Sequence, residues 1–293
     1  MCYYKMGNTL KKLDYVRLTV LCDNAVGVVG AIGEHGYAVF IEAEEGPYLF
    51  DTGSGIGILS NAKLLEKDLR SVKKIFLSHG HYDHTGGLAD VLDFVHPVPV
   101  YAHPSVFDEK YSVSKKDDRM ESKFIGIPQR RALLEAKGAH FQLDTNFREV
   151  GEGLFLTGEI PRTSGFEAGE KRLTVKLNDT FITDEFPDDQ ALIISTSMGL
   201  VVLLGCSHAG TINTLRYVQT QLADESLYAV IGGTHWGFME EKDFASSIEI
   251  LKEMDISMIG VSHCTGIPVA HRLMSEFGER AFYASVGTAI EIT

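Results

Sequence analysis

Leu77-Ser78-His79-Gly80-His81-Tyr82-Asp83-His84-Thr85-Gly86-Gly87-Leu88 carries three histidines and an aspartate within six residues, from 79 to 84. The preceding stretch, Val72 to Ser78 (VKKIFLS), has the pattern of a strand, and a helix is expected from Gly87 to about Val95. Two histidines two apart, leaving a strand, can point to the same side of a tight loop. Gly80 removes a side chain that would crowd that turn. Four potential ligands so close together do not easily serve one tetrahedral ion. They suit two neighbouring ions, with His79 and His81 on one and Asp83 and His84 on the other. The plainer alternative is a polar loop that happens to be rich in histidine, although clustered imidazoles are costly when protonated.

Upstream, Tyr15 to Leu21 alternates as a strand does. Tyr37 to Ala43 and Tyr48 to Phe50 flank Glu-Glu-Gly-Pro and predict a hairpin. The second arm ends in Asp51-Thr52-Gly53-Ser54. An aspartic protease shares that tetrapeptide but needs two such carboxylates, and no second D-[ST]-G occurs. Asp51 is therefore expected to support the metal loop from behind. Gly53-Ser54-Gly55-Ile56-Gly57 lacks the G-x-G-x-x-G spacing of a nucleotide site. Asn61 to Leu69 is expected to be helical.

The region from about 105 to 190 is irregular, with a helix near Pro128 to Lys137, short strands and a charge run (Lys115, Lys116, Asp117, Asp118, Arg119). It is expected to be an excursion from the core that shapes substrate access. Beyond it, Ala191 to Ser195 and Leu200 to Leu204 pair around Met198-Gly199. Three strand-loop-helix units follow. Leu200 to Leu204 leads to Gly205-Cys206-Ser207-His208, Tyr228 to Ile231 to Gly232-Gly233-Thr234-His235, and Ile256 to Val261 to Ser262-His263-Cys264. Each histidine sits just past a strand, where side chains gather at one edge of an α/β sheet. His208 and His263 are candidate ligands. His235 is better placed for binding substrate or transferring a proton. Cys206 is open to two readings, a thiolate ligand or a buried inert thiol.

The 293 residues suffice for one large domain with a well-buried core or for two small ones, and the formal net charge of −13 makes nucleic acid a poor partner. Four scattered cysteines (Cys2, Cys22, Cys206, Cys264) suggest neither a zinc ribbon nor a disulfide framework, which fits a reducing cytoplasm. No stretch reaches the roughly 18 to 20 apolar residues of a membrane span, and Met1 to Lys12 lacks a signal-peptide core. No membrane partner is expected. The sequence leaves the oligomeric state open.

H-G-H-Y-D-H resembles the H-x-H-x-D-H signature of the metallo-β-lactamase superfamily. Tyr48 to Gly53 (YLFDTG) is similar to the family's strand ending in Asp. The resemblance covers most of the chain outside the middle excursion. It implies an α/β fold of the four-layer αββα sandwich type over 1–293, with metals at one edge between two sheets. More narrowly, L-S-H-G-H-Y-D-H-T-G-G-L, G-C-S-H-A-G-T-I-N, G-G-T-H and S-H-C-T-G resemble the members known as 7,8-dihydropterin-6-methyl-4-(β-D-ribofuranosyl)aminobenzene-5′-phosphate synthases. Relatives usually carry a bridging Asp where this chain has Cys206, and many carry a His where it has Glu159.

The expected activity is metal-assisted hydrolysis of a small anionic ester or phosphoester. It would use one or two divalent transition-metal ions, zinc foremost, with iron or manganese also suited. Asp83 or His235 would handle the leaving-group proton, and Arg162 and His235 would meet the substrate. The alternative is a synthase-like transfer in which a pyrophosphate leaves a pterin. Within the site, His208 is expected beside His79 and His81, and His263 beside Asp83 and His84, with Cys206 turned toward the core.

Overall fold

The central strands, such as Val16–Cys22, Leu192–Thr196 and Gly199–Leu204, are buried on both faces, so the sheets they belong to must be covered on both sides. The computed structural model describes residues 10–116, 119–167 and 169–293; Cys2, Asp117 and Asp118 lie outside them. The first half supplies β1 (Val16–Cys22), β2 (Ala38–Ala43), β3 (Tyr48–Phe50), α1 (Ile58–Leu64), β4 (Lys74–Phe76), α2 (Tyr82–Thr85), α3 (Leu88–Leu92), β5 (Val98–Ala102), β6 (Lys110–Lys116), β7 (Arg119–Phe124), α4 (Arg131–Ala136) and β8 (Ala139–Leu143). The second half supplies β9 (Arg148–Gly151), β10 (Leu154–Leu156), β11 (Leu173–Leu177), β12 (Thr180–Thr183), β13 (Leu192–Thr196), β14 (Gly199–Leu204), α5 (Thr211–Gln221), β15 (Leu227–Gly232), α6 (Glu241–Glu253), β16 (Met258–Val261), α7 (Ile267–Phe277), β17 (Ala281–Tyr283) and β18 (Ala289–Ile292).

Two seven-stranded sheets result, in the orders β18-β1-β2-β3-β4-β5-β8 and β17-β16-β15-β14-β13-β10-β9. Alternation along the strands divides the core into three layers. Val16, Leu18, Val39, Ile41 and Phe50 of the first sheet meet Leu192, Ile194, Val201, Leu203 and Ile231 of the second. The outward partners Phe40, Leu49 and Ile75 pack with residues of α1, α3 and α4, such as Ile58, Val91 and Leu134. Ile193, Val202 and Val230 pack with Leu215, Ile248 and Leu273 of α5, α6 and α7. The result is the four-layer αββα sandwich.

The expected hairpin is β2–β3, with Phe40 opposite Leu49. The expected helix at 61–69 instead begins at Ile58 and ends at Leu64. Asn61 lies inside it, buried, and its amide donates to Leu21 O and Ile32 O. The helix expected from Gly87 to about Val95 is α3, which ends at Leu92, and a short helix that was not expected, α2, forms within the histidine loop before it.

The 105–190 region is not one excursion. β8, β9 and β10 are edge and near-edge strands of the central sheets, while β6, β7, β11 and β12 form a separate four-stranded sheet ordered β12-β11-β6-β7. Only the latter is peripheral. Among the described residues, no helix is long and apolar enough to cross a membrane.

In the first sheet β3 and β4 run parallel, and in the second β14, β15 and β16 do. Their carboxyl ends therefore reach one edge of the sandwich, and the loops that leave them build the site.

Candidate metal centre

Those loops bring His79, His81, Asp83, His84, His208 and His263 together. Rings of His79, His81 and His208 lie with centroids 4.6–4.9 Å apart. His84 and His263 lie 5.0 Å apart, and His263 Nε2 is 3.3 Å from Asp83 Oδ2. Cys206 does not turn into the core: its Sγ is 3.2 Å from His84 Nε2. His35 adds a residue that the sequence did not mark, with Nε2 3.1 Å from Asp83 Oδ2.

Buried carboxylates hold each loop in place. Asp51 accepts from Ser78 N (2.7 Å) and Ser78 Oγ (2.6 Å) and faces His84 Nδ1 at 2.7 Å. Asp188 accepts from Gly80 N at 2.8 Å, and Asp189 from Ala209 N at 2.8 Å. Asp23 accepts from His263 N at 2.7 Å. Asp51, Ser207, His235 and His263 all have left-handed backbone, with φ of 50–59°. Such conformations cost about 1–3 kcal/mol each in non-glycine residues and concentrate at functional sites.

Gly80 is required for a steric reason. A Cβ there would lie 2.3 Å from the carbonyl oxygen of Val106. Gly80→Ala should therefore force the histidine loop from its seat and cost about 1–3 kcal/mol. A denaturant titration of the variant should show this, together with reduced metal content. Unchanged stability and metal content would mean that the loop yields freely.

The hydrogen bonds assign the ring tautomers. Ser78 Oγ gives its proton to Asp51, so it accepts from His79 Nδ1 at 2.9 Å and leaves Nε2 unprotonated, 3.0 Å from His81 Nδ1. His84 Nδ1 donates to Asp51, leaving Nε2 toward Cys206. His263 Nδ1 donates to Asn24 Oδ1 at 2.8 Å, so its Nε2 lone pair confronts the Asp83 carboxylate. Buried Nε2 atoms of His81, His208 and His263 have no hydrogen-bond partner. Lone pairs aimed at one another in a buried space repel unless a cation lies among them, and hydrogen bonding of the far nitrogen is how proteins orient histidine ligands. The donor set thus fits divalent metal.

Electrostatics agree. Burial drives His79 and His208 well below the usual imidazole range, and His81 to about 3. Burial lowers His263 as well. Burial also pulls on His84, but the charge and hydrogen bond of Asp51 outweigh it and raise that ring. Burial works against ionisation of Asp83, yet the neighbouring His263, His35 and His84 rings hold its carboxyl well below normal. Neutral imidazoles and an ionised carboxylate are the forms that ligate.

His235 stands beside this cluster, its ring 4.4 Å from that of His208. Its Nδ1 is 3.2 Å from Glu170 Oε1, and burial lowers its pKa to about 4. Arg162 is engaged elsewhere: its guanidinium donates to the backbone oxygens of His208 (3.1 Å) and Glu185 (2.8 Å). It braces the His208 loop. Glu159 is exposed and faces His103, away from the cluster.

A cavity of about 230 Å³ opens onto the cluster, and its lining includes Asp83, Cys206 and His263 together with Lys123 and Arg172. A second cavity, of about 300 Å³, adjoins it across His208, His235 and Phe238 and is bordered by Phe166, Glu170 and Glu240.

Residues 31–182 match the model of the metallo-β-lactamase superfamily. The chain belongs to that superfamily. It is 30% identical over 279 residues, 92% of this chain and 94% of the relative, to the 7,8-dihydropterin-6-methyl-4-(β-D-ribofuranosyl)aminobenzene-5′-phosphate synthase of Methanocaldococcus jannaschii. It is also similar to the crystal structure of a metal-dependent hydrolase of the β-lactamase superfamily, with 27% identity, a TM-score of 0.79 and coverage of 95% and 99% of the two chains. A diphosphatase structure at 15% identity and a TM-score of 0.53 shares the fold. Such relatives are named for enzymatic activities, and a metal-binding centre is the superfamily's shared feature, in keeping with the ligand groups found here.

Proposed function

We propose that this protein is a metal-dependent hydrolase that cleaves a phosphoester or similar ester in a small anionic molecule. The observation that carries the reading is the single cavity that joins the histidine cluster to Lys123 and Arg172. His79, His81 and His208 would hold one divalent ion, and Asp83, His84 and His263 a second. Ions of the zinc class, when bound there, supply Lewis acidity and a water of lowered pKa. Lys123 and Arg172 bind and orient the anionic group of the substrate, a role expected of Arg162 from sequence. Cation–π contacts fix both cations, Lys123 over Tyr82 and Arg172 over Phe238. His235, its Nδ1 directed at Glu170, can exchange a proton at Nε2 with the leaving group. The volume of about 230 Å³ is of the size that seats a small molecule.

Lys123→Ala and Arg172→Ala should each raise KM for a phosphate ester about 5- to 50-fold. That corresponds to the loss of one charge-assisted contact worth about 1–2.3 kcal/mol. Metal content should stay unchanged. Steady-state kinetics with a panel of phosphodiesters, phosphomonoesters and lactones checks this, and an unaltered KM across the panel would remove the two cations from the binding role.

A second reading is favoured by the adjoining cavity and by the synthase relative. Here the 300 Å³ space would seat an organic acceptor that replaces water. A hydroxymethyl-dihydropterin diphosphate incubated with and without an arylamine acceptor separates the readings. Diphosphate release in water alone supports the hydrolase, and release that requires the acceptor supports the transferase.

A further inference from the structure

Among the described residues, three groups of side chains hold potential ligand atoms all within 4.8 Å of one another: His79/Cys206/His208 and His84/Cys206/His263, which share only Cys206, and His35/Asp83/His263, which meets the second group at His263. We propose that the Cys206 sulfur is a bridging thiolate that binds both metal ions of the centre at once. The proposal deepens the functional reading above and rests on its claim that the cluster binds metal.

The position of the sulfur is built into the fold. Gly205 precedes it at the end of β14, and a Cβ on Gly205 would lie 2.1 Å from Ser78 Oγ. The β14 exit therefore rests directly against the residue that ties Asp51 to His79. Gly233 N donates to Gly205 O at 3.1 Å and fixes this exit to the neighbouring one. Ser207, in left-handed backbone, turns the chain so that His208 reaches the other flank of the same cluster. Cys206 Sγ is left between them, buried, 3.2 Å from His84 Nε2. The flanking Nε2 atoms of His208 and His263 are buried without hydrogen-bond partners. Both unpartnered nitrogens belong to the two groups that the sulfur joins.

A thiolate has lone pairs enough for two ions, each at about 2.3 Å. On binding, the S–H proton is released to solvent and two metal–sulfur bonds form, with no change of oxidation state. One soft anionic ligand common to both positions favours zinc-class ions and disfavours magnesium and manganese. Cys264 is the natural control, because its Sγ donates to Cys206 O at 3.6 Å and belongs to none of the groups.

The test uses Co(II) alone as probe, added to the metal-stripped full-length protein, read by elemental analysis and near-ultraviolet absorption. Wild type and Cys264→Ser should bind about two cobalt ions per chain and show a sulfur-to-cobalt charge-transfer band. Cys206→Ser should lose the band and fall to about one ion. Cys206→Asp should keep about two ions without the band, since a carboxylate can bridge but has no sulfur. Two ions without a band in the wild type, or a Cys206→Ser protein that keeps both ions with unchanged affinity, would overturn the bridge and leave the metal centre standing. No cobalt bound by the wild type would overturn both.

Discussion

A His79→Ala/His81→Ala double variant should lose its metal and more than about 100- to 1,000-fold of its turnover, the loss that already follows removal of a single well-placed electrostatic group in an active site. The two rings lie side by side, His79 Nε2 being 3.0 Å from His81 Nδ1, and both are buried. His79 is oriented by Ser78 and, through it, by Asp51. His84 and His208 are committed to their own places in the cluster and do not replace them. The fold should survive, because neither ring belongs to the three hydrophobic layers. Elemental analysis, circular dichroism and turnover on one preparation make the comparison. A folded variant with wild-type metal content would refute the assignment of the first metal position.

What the sequence revealed and what it hid follows from locality. His79, His81, Asp83 and His84 are neighbours in the chain, so their chemistry could be read from spacing alone. His208 and His263 were legible because each follows a short apolar strand in a repeated strand-loop-helix pattern. Cys206 was not. Alternation from Leu203, which faces the inter-sheet layer, assigns Gly205 inward and says nothing certain of Cys206, because the strand ends at Leu204. The left-handed turn at Ser207 then decides where the sulfur goes. Asp23, Asp188 and Asp189 are indistinguishable in sequence from surface carboxylates until the loops they hold are seen. Lys123 and Arg172 lie on separate parts of the small third sheet and its approach, and only the folded chain places them in one cavity with the cluster.

The middle region hid its role for another reason. β8 turns Ala139, Phe141 and Leu143 to the core, but it is only five residues long and of these only Ala139 is fully buried, and in β9 only Val150 is buried. Both are edge strands, half-covered by neighbours, and edges are where charged side chains and short lengths are used to prevent further pairing. Their pattern therefore resembles that of loops, and the strands of the central sheets could not be separated by periodicity from the peripheral β6, β7, β11 and β12.

Lys110→Met should destabilise the metal-free protein by about 3–5 kcal/mol, the cost of removing one partner from a buried ion pair and leaving the other charge uncompensated. The ammonium is buried at the start of β6, 2.6 Å from Asp184 Oδ2 and 2.9 Å from Asp188 Oδ1. Burial alone would pull its pKa down, but Asp188 and Asp184 together carry it above the usual value. Because the folded value exceeds the unfolded one, this stabilisation is complete below about 10.4 and is lost only as pH climbs through the folded value. The pair also reaches the site. The other oxygen of Asp188 accepts from Gly80 N, and Asp184 Oδ1 accepts from Phe186 N at 2.7 Å. Phe186 lies flat against His208, centroids 4.0 Å apart. Without the cation, two carboxylates share one dry pocket, and repulsion between them acts on both histidine-bearing loops. Metal affinity should therefore fall about 10- to 100-fold, as it does when groups supporting a ligand shell are lost. Lys110→Met combined with Asp184→Asn and Asp188→Asn removes the stranded charges and should regain part of the stability. Urea unfolding of the three metal-stripped proteins, with the m-value checked for constancy, supplies the comparison, and metal competition supplies the affinity. If the single variant stays within about 1 kcal/mol of wild type, or the triple variant is the least stable of the three, the buried lysine is not what neutralises these carboxylates.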